Sequence, residues 1–431
     1  MDGDGMLRER MRGDWNRRAQ EDAYYYVAFG RKNQPRDEFL SGGRDLASEI
    51  MLEFPKLPKP ASTLRVLEIG CGPGRLMRQL APEIGEIHGV DVSDEMIRLA
   101  REHLADLPNA HVHVGDGTSL NMFGDSLFDL VYSYLVFQHI PDKNVVFNYL
   151  QETHRVLMPD GVFRGQFKGW AHGGVTDTWN GIVVTSEELR EFCRAERFQL
   201  LALEGIDTYY LCTTWRKIEP GIDGHQSARE PIAIRGVTTS NGADPIVPVD
   251  GPDSWFSIWI DNLPLAYGLE HLSVRAGYAL GECYYLGPLE YGTLRQVNVL
   301  LPPGMPLGPA EFQLFVDGTP AGGSVTISVV PGEPLKAKVR TITDAIDLAA
   351  GSRINTRSVK ALVDHVTDPN RISIRVSGER IPRFDLVCID PRHRSYDISF
   401  SLPDSIRPGS HRVEVGCGPD MLGPFDIEVE R

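Results

Sequence analysis

The run Val66-Leu67-Glu68-Ile69-Gly70-Cys71-Gly72-Pro73-Gly74, followed by Arg75-Leu76-Met77-Arg78-Gln79-Leu80, constrains this chain more than any other feature. Its first residues read as a short buried strand and its last as a helix. A chain that passes from strand to helix through such a glycine turn forms a unit in which backbone approaches a ligand closely, where side chains would block the way. The free N–H groups at the start of the following helix favour an anion.

A similar turn serves dinucleotide enzymes, so the surroundings decide between the two. Glu68 stands two residues before the first glycine. A strand Glu86-Ile87-His88-Gly89-Val90 ends in Asp91, about twenty residues past the glycines, where a carboxylate can accept hydrogen bonds from both hydroxyls of a ribose. Then come Val112-His113-Val114-Gly115-Asp116-Gly117, the strand Phe128-Asp129-Leu130-Val131-Tyr132-Ser133, and the turn Val156-Leu157-Met158-Pro159-Asp160-Gly161 feeding a fifth strand. This ordered set resembles the class I S-adenosylmethionine-dependent methyltransferases. The aliphatic strand into Glu68, the Asp116-Gly117 pair and the Pro159-Asp160-Gly161 turn set it apart from an NAD-binding unit.

The resemblance implies an α/β fold over residues 61–217, a Rossmann-like sheet of seven mostly parallel strands with helices on both faces. Its last strands would be 199–203 and 209–214, after a helix at 187–193. It also implies S-adenosyl-L-methionine as cofactor and S-adenosyl-L-homocysteine as product. By position, Gly70, Gly72 and Gly74 would line the methionine and ribose portion, and Glu68 would stand near the methionine amino group. Asp91 would hold the ribose, Asp116 and Gly117 would meet the adenine amino group, and Val92 and Met96 would pack on its ring. Tyr132 and Ser133 would face the junction between cofactor and acceptor.

Methyl transfer is an in-line displacement at a sulfonium carbon, so the protein must align the nucleophile and, for a hydroxyl, remove its proton. His139, in Phe137-Gln138-His139-Ile140-Pro141-Asp142 after the fourth strand, is the candidate catalytic base. Trp170, His172 and Trp179, in the loop after the fifth strand, are candidate acceptor contacts. Residues 1–60 read as a helical N-terminal lid, in which Tyr24-Tyr25-Tyr26 cannot all face inward; Tyr24 and Tyr25 are taken as acceptor contacts. The clustered ligands of magnesium-dependent catechol-type enzymes are not found, so no metal is expected. The acceptor is expected to be a small molecule or a glycan, attacked at a hydroxyl. N- or C-methylation, and a scaffold that binds the cofactor without turnover, stay open.

From about residue 230 the pattern changes to short strands broken by glycine and proline. Leu301-Pro302-Pro303-Gly304 and the strands after it return about a hundred residues later as Leu402-Pro403-Asp404 and its strands, and 256–260 is matched with 372–376. Two all-β sandwiches in tandem, 230–333 and 334–431, are expected, and they resemble Ig-like domains of the IPT/TIG type. They would contact a glycan or partner, or join copies into a homo-oligomer. Gly416-Cys417-Gly418-Pro419-Asp420 copies the first glycine motif but lies between two strands, so it reads as a turn.

Charge bounds the partners. With 44 Lys and Arg against 59 Asp and Glu, the net charge is −15, which repels phosphate backbones and argues against nucleic acid. No apolar stretch approaches the ~18 residues of a membrane span, and the first residues lack the apolar core of a signal peptide. The six scattered cysteines, without a C-x-x-C, read as free thiols in a reducing cytosol. A cytoplasmic protein without a membrane partner is expected.

Overall fold

In the computed structural model, residues 3–28, 32–170, 176–218, 230–239, 242–249, 251, 253–289, 292–332, 336–346, 351–366, 368–390 and 394–430 are described. The chain begins with α1 (Gly3–Ala28), α2 (Arg36–Ser41) and α3 (Arg44–Met51). It continues as β1 (Arg65–Ile69), α4 (Arg75–Leu80), β2 (Glu86–Asp91), α5 (Asp94–His103), β3 (Ala110–Val114) and β4 (Phe128–Ser133). Then follow α6 (Lys143–Val156), β5 (Leu157–Lys168), α7 (Ser186–Glu196), β6 (Phe198–Glu204) and β7 (Tyr210–Lys217).

These strands form one sheet in the order β3-β2-β1-β4-β5-β7-β6, parallel except for β7, which runs antiparallel between β5 and β6. β4 is buried at every position, as an apolar strand covered on both faces must be. α5 and α7 start where the sequence supplies caps. Ser93 accepts from the Met96 N–H ahead of α5, and Thr185 forms a capping box with Glu188 ahead of α7. From β1 the chain turns to β2 on one side, while β4 flanks the other. The strand order reverses here, and the crevice beyond the carboxyl ends of β1 and β4 is where such sheets bind ligands.

The rest of the chain is strand. First come β8 (Ala233–Thr239), β9 (Ile246–Pro248), β10 (Trp255–Asp261), β11 (Leu272–Ala276), β12 (Ala279–Leu286), β13 (Arg295–Leu300), β14 (Gly308–Val316) and β15 (Thr319–Val330). They are followed by β16 (Lys338–Asp344), β17 (Arg353–Ile354), β18 (Ser358–Asp364), β19 (Ile372–Val376), β20 (Glu379–Ile381), β21 (Asp385–Asp390), β22 (Ser395–Ser401), β23 (Gly409–Cys417) and β24 (Asp420–Val429).

The repeat holds pairing by pairing. β10 lies between β8 and β13 as β18 lies between β16 and β22. β11 pairs with β14 as β19 pairs with β23, and each continues into a long hairpin. The short β9 and β17 add in parallel to β15 and β24. β12 pairs with both β11 and β13, whereas its counterpart is split into β20 and β21. This corrects one expected match: the counterpart of β19 is β11, and residues 256–260 lie in β10, whose counterpart is β18. Apolar alternation looks alike in every strand, and only the pairing partners distinguish them. Gly418 and Pro419 join β23 to β24 in the hairpin.

The last unit closes two sheets over its own core, with Val359 and Phe400 from one and Ile374, Val415 and Ile427 from the other. The core of the first β unit is not separate. Phe256, Val299 and Phe312 belong to the same apolar cluster as Leu200 and Leu203 of β6 and Trp215 of β7. β12 also bridges to β6 at Tyr285 and Ala202. Among the described residues, no helix is long and apolar enough to cross a membrane, and all six cysteines are free.

Candidate active site

At the reversal point lies a cavity of about 980 Å³, its open mouth included. Its floor is the turn after β1. Gly70 has φ of +74° and a side chain there would collide with Val136, at 2.2 Å from its Cγ2, so only glycine fits. Asp91, at the end of β2, accepts from the Gly72 N–H at 2.9 Å and from the Ser93 N–H at 2.9 Å. The roof is α1, from which Met11, Trp15, Tyr26 and Val27 reach the cavity. α1 is tied to the sheet by polar contacts. Arg12 donates to the carbonyls of Val92 (3.3 Å) and Gly115 (3.0 Å), and Asn16 Oδ1 accepts from the Ser93 hydroxyl (2.7 Å) and the Glu95 N–H (3.2 Å).

Three ionisable groups at the floor are set by burial. Glu68 accepts from the Tyr132 hydroxyl at 2.7 Å, and desolvation pushes its carboxyl up to about 8. Asp91 is pushed up to about 6 by the same cause, against the pull of its backbone donors. Arg75 donates one nitrogen to the Gly42 carbonyl at 3.2 Å, while its buried Nε has no partner. An acid with raised proton affinity beside a guanidinium with an unused donor suits a zwitterion, whose ammonium and carboxylate would satisfy both.

The other end is aromatic. The His139 ring stands 5.3 Å from Trp15 and 5.0 Å from Trp179 between centroids, and Tyr26 meets Trp179 edge-on at 5.7 Å. Arg18 lies over Trp15 and Trp179, 4.8 and 5.1 Å from their centroids. A chain of amides fixes the tautomer of His139. The Leu135 N–H donates to Gln166 Oε1, Gln166 Nε2 to Gln138 Oε1, and Gln138 Nε2 lies 3.2 Å from His139 Nε2. His139 Nδ1–H therefore donates to the Trp179 carbonyl at 2.7 Å, and Nε2 keeps the lone pair. Burial pulls the imidazole down to about 4.

Of the residues singled out in the sequence, the fold brings Glu68, Gly70, Gly72, Asp91, Val92, Met96, Gly117 and His139 to the cavity. Others go elsewhere, for identifiable reasons. Gly74 faces α5, where a Cβ would meet Leu104 at 2.9 Å. Asp116 spends its oxygens on its own turn, accepting from the N–H groups of Thr118 and Ser119 and from the Ser119 hydroxyl. Tyr132 and Ser133 are inside the sheet, bonded to Glu68 and to the Ile69 carbonyl. The next three residues, Tyr134, Leu135 and Val136, which lie beyond the strand end, line the cavity in their place. Tyr24 stacks on Phe39 at 4.4 Å and bonds His103 Nε2, and Tyr25 packs on Tyr26; it is Tyr26 that reaches the cavity. Trp179 backs His139 without lining the space, Trp170 lies half-buried away from it, and His172 lies outside the described residues. Met11, Trp15, Arg75 and Tyr149 line the cavity without having been singled out for it.

Residues 66–161 match the model of a methyltransferase domain. Over 148 residues the chain is 33% identical to phosphoethanolamine N-methyltransferase 2 of Caenorhabditis elegans, covering 34% of this chain and 32% of that protein. Over 100 residues it is 35% identical to the ubiquinone biosynthesis O-methyltransferase of Sinorhizobium fredii, covering 23% of this chain and 40% of that one. A solved structure of Haemonchus contortus phosphoethanolamine N-methyltransferase 1, bound to phosphoethanolamine and S-adenosylhomocysteine, is similar at 17% identity and a TM-score of 0.39, covering 50% of each chain. The chain thus spans well under half the length of these curated relatives. The stretch that matches holds the glycine turn, Asp91 and His139: the chain carries a class I methyltransferase domain, whose cofactor is S-adenosyl-L-methionine.

Proposed function

We propose that the whole protein is an O-methyltransferase acting on an acidic hydroxyl, a phenol or an enol, of a small molecule seated between the cofactor and the wall of Trp15, Tyr26 and His139. S-adenosyl-L-methionine supplies the methyl group and the leaving group. Glu68 and Arg75 would hold its ammonium and carboxylate, and Asp91 its ribose. The observation that carries the reading is the state of His139. Buried, with Nδ1–H committed to Trp179 and a pKa near 4, it is neutral at pH 7 with Nε2 as its basic atom. The hydroxyl would displace the Gln138 amide that here donates to Nε2 and pass its proton to the freed lone pair, while bound S-adenosyl-L-methionine would give up the methyl carbon and leave as a neutral thioether. A base this weak suits a hydroxyl of pKa about 10, as in a phenol, better than the far less acidic hydroxyl of a glycan.

N-methylation fits this cavity less well. A methylated ammonium is recognised by open aromatic faces, and Arg18 already covers those of Trp15 and Trp179. The repeated pairing of the two β units supports their reading as Ig-like sandwiches that contact a partner or a second copy, and six free thiols support a cytoplasmic setting. Release of S-adenosyl-L-homocysteine across a panel of phenols, enols, amines and glycans tests the reading. Turnover of phenols or enols is expected. Turnover of amines alone would replace it with N-methylation, and cofactor binding without turnover of any class would make the chain a scaffold.

A further inference from the structure

Away from the cavity, one face of the sheet edge gathers three histidines and a glutamate. Glu86 and His88 lie two residues apart on β2, so they share a face, and the parallel register sets His88 opposite His111 of β3, with His113 two residues further on. Glu86 Oε1 lies 3.1 Å from His88 Nε2 and 3.3 Å from His111 Nε2, and all three atoms fall within 4.8 Å of one another. Ligands held about 2.0–2.1 Å from a tetrahedral zinc ion stand about 3.3 Å apart, close to these separations.

Two further contacts prepare the group for a cation. His88 Nδ1 lies 3.0 Å from His113 Nε2. If Nδ1–H donates there, His88 Nε2 carries a bare lone pair 3.1 Å from a carboxylate oxygen. That nitrogen is buried and, despite the 3.1 Å approach, has no hydrogen-bond partner. A positive ion between the two atoms resolves the opposition. The second oxygen of Glu86 is held by Arg65 at 2.6 Å, which leaves Oε1 to point at the histidines.

We propose that Glu86, His88 and His111 form a zinc site, with His113 as the positioning residue that holds His88 in its ligating tautomer. Two imidazole nitrogens and a carboxylate select a borderline first-row dication over magnesium or calcium, and three protein ligands leave a fourth position open. None of the four residues lines the cofactor cavity. Asp91 lies five residues beyond Glu86 along β2, about 16 Å away at ~3.3 Å per residue. The site therefore pins the edge strand β3 to β2 and stands apart from the methyl-transfer chemistry, for which no metal was expected.

The untagged full-length chain, stripped with a chelator, tests this by calorimetric titration with Zn²⁺ and by the visible absorption of Co²⁺. One equivalent is expected to bind, with the intense bands of tetrahedral cobalt. His111 is 43% exposed in its side chain, so His111→Ala should keep the metal-free melting temperature while weakening zinc at least 100-fold and abolishing the bands. His113→Ala should weaken it about 10–100-fold. Absence of saturable binding to the wild type would overturn the site, as would His111→Ala binding zinc at wild-type strength.

Discussion

Glu68 and His139 titrate in opposite directions, and the two ends of the cavity differ accordingly. Glu68 is raised from 4.5 to about 8, so between those values the folded protein keeps a proton that the unfolded chain has released. Its contribution to stability falls as pH rises through that window. His139 is lowered from 6.5 to about 4, so the unfolded chain binds the extra proton, and stability falls as pH drops from 6.5 towards 4. Between pH 4.5 and 6.5 the two oppose each other, so chemical denaturation of the ligand-free protein should show the Glu68 limb by itself above pH 6.5, and Glu68→Gln should flatten it. An ammonium placed beside Glu68 favours the carboxylate, so binding of S-adenosyl-L-homocysteine at pH 7 should release a proton. Calorimetry in buffers of different ionisation enthalpy reads this directly, and Glu68→Gln should abolish the release. His139→Ala should lower turnover about 10²–10⁴-fold with cofactor affinity kept, and wild-type activity should persist below pH 6, where an ordinary histidine would already be protonated. The sequence made Glu68, Asp91 and His139 legible because each follows or precedes a strand end that its apolar run announces. Arg75 and Tyr134 were not legible as site residues, because whether a side chain just past a strand or at a helix start turns into the crevice depends on contacts remote in sequence, as of Arg75 with the Gly42 carbonyl, which no local pattern encodes.

At the scale of elements, α1 is the part of the N-terminal region that roofs the cavity, whereas α2 and α3 pack against α4, with Ala47 and Ile50 in the same cluster as Leu76 and Leu80. The helical character of α1 was evident from its sequence, but its facing was not. Asp22 leaves the helical path at φ −169° and ψ 87° and accepts from the Tyr25 N–H at 3.1 Å, as a helix cap does. The break resets the phase of the second segment, sending Tyr24 to Phe39 and Tyr26 to the cavity. The first segment is held by Asn16, whose Oδ1 takes hydrogen bonds from Ser93 and Glu95, and by Arg12. Asn16→Ala removes both of these bonds at the edge of the adenine side. At about 1–1.5 kcal/mol for each net hydrogen bond, the two together amount to about 2–3 kcal/mol, and S-adenosyl-L-homocysteine should bind more weakly by up to about 30–150-fold. Amide exchange over residues 3–21 should quicken while the strands stay protected. Unchanged affinity with faster exchange would mean that α1 covers the site without contributing to binding.

For the molecule as a whole, the composition break near residue 230 suggested two halves, yet the structure joins the first β unit to the methyltransferase sheet. Arg190 of α7 donates to the carbonyls of Leu269 (2.6 Å) and Cys283 (2.5 Å) and to Glu282 (2.7 Å). In the opposite direction, the buried Glu270 carboxylate accepts from the Leu200 N–H at 2.8 Å, with burial raising its pKa. Leu203, Trp215, Phe256 and Phe312 share one apolar cluster. Such a seam is invisible in sequence, because Arg190 sits on an amphipathic helix where a charged residue reads as solvent-facing, and its acceptors lie 79 to 93 residues away. The last β unit has its own cluster, although the Tyr209 N–H does donate to the Ile389 carbonyl at 3.0 Å. Residues 336–431 should therefore be soluble alone with a β-type circular dichroism spectrum, whereas a fragment of 230–332 should aggregate through the face that β6 and α7 normally cover. In the full chain, Arg190→Ala strips two buried carbonyls of a charged donor, which costs about 2–3 kcal/mol. Denaturant unfolding should then show two transitions, the larger shifted to lower denaturant by that amount and the smaller unmoved. If both β units unfold together in the variant while the methyltransferase sheet keeps its wild-type midpoint, the seam is a contact between finished domains and the boundary near residue 230 is a true one.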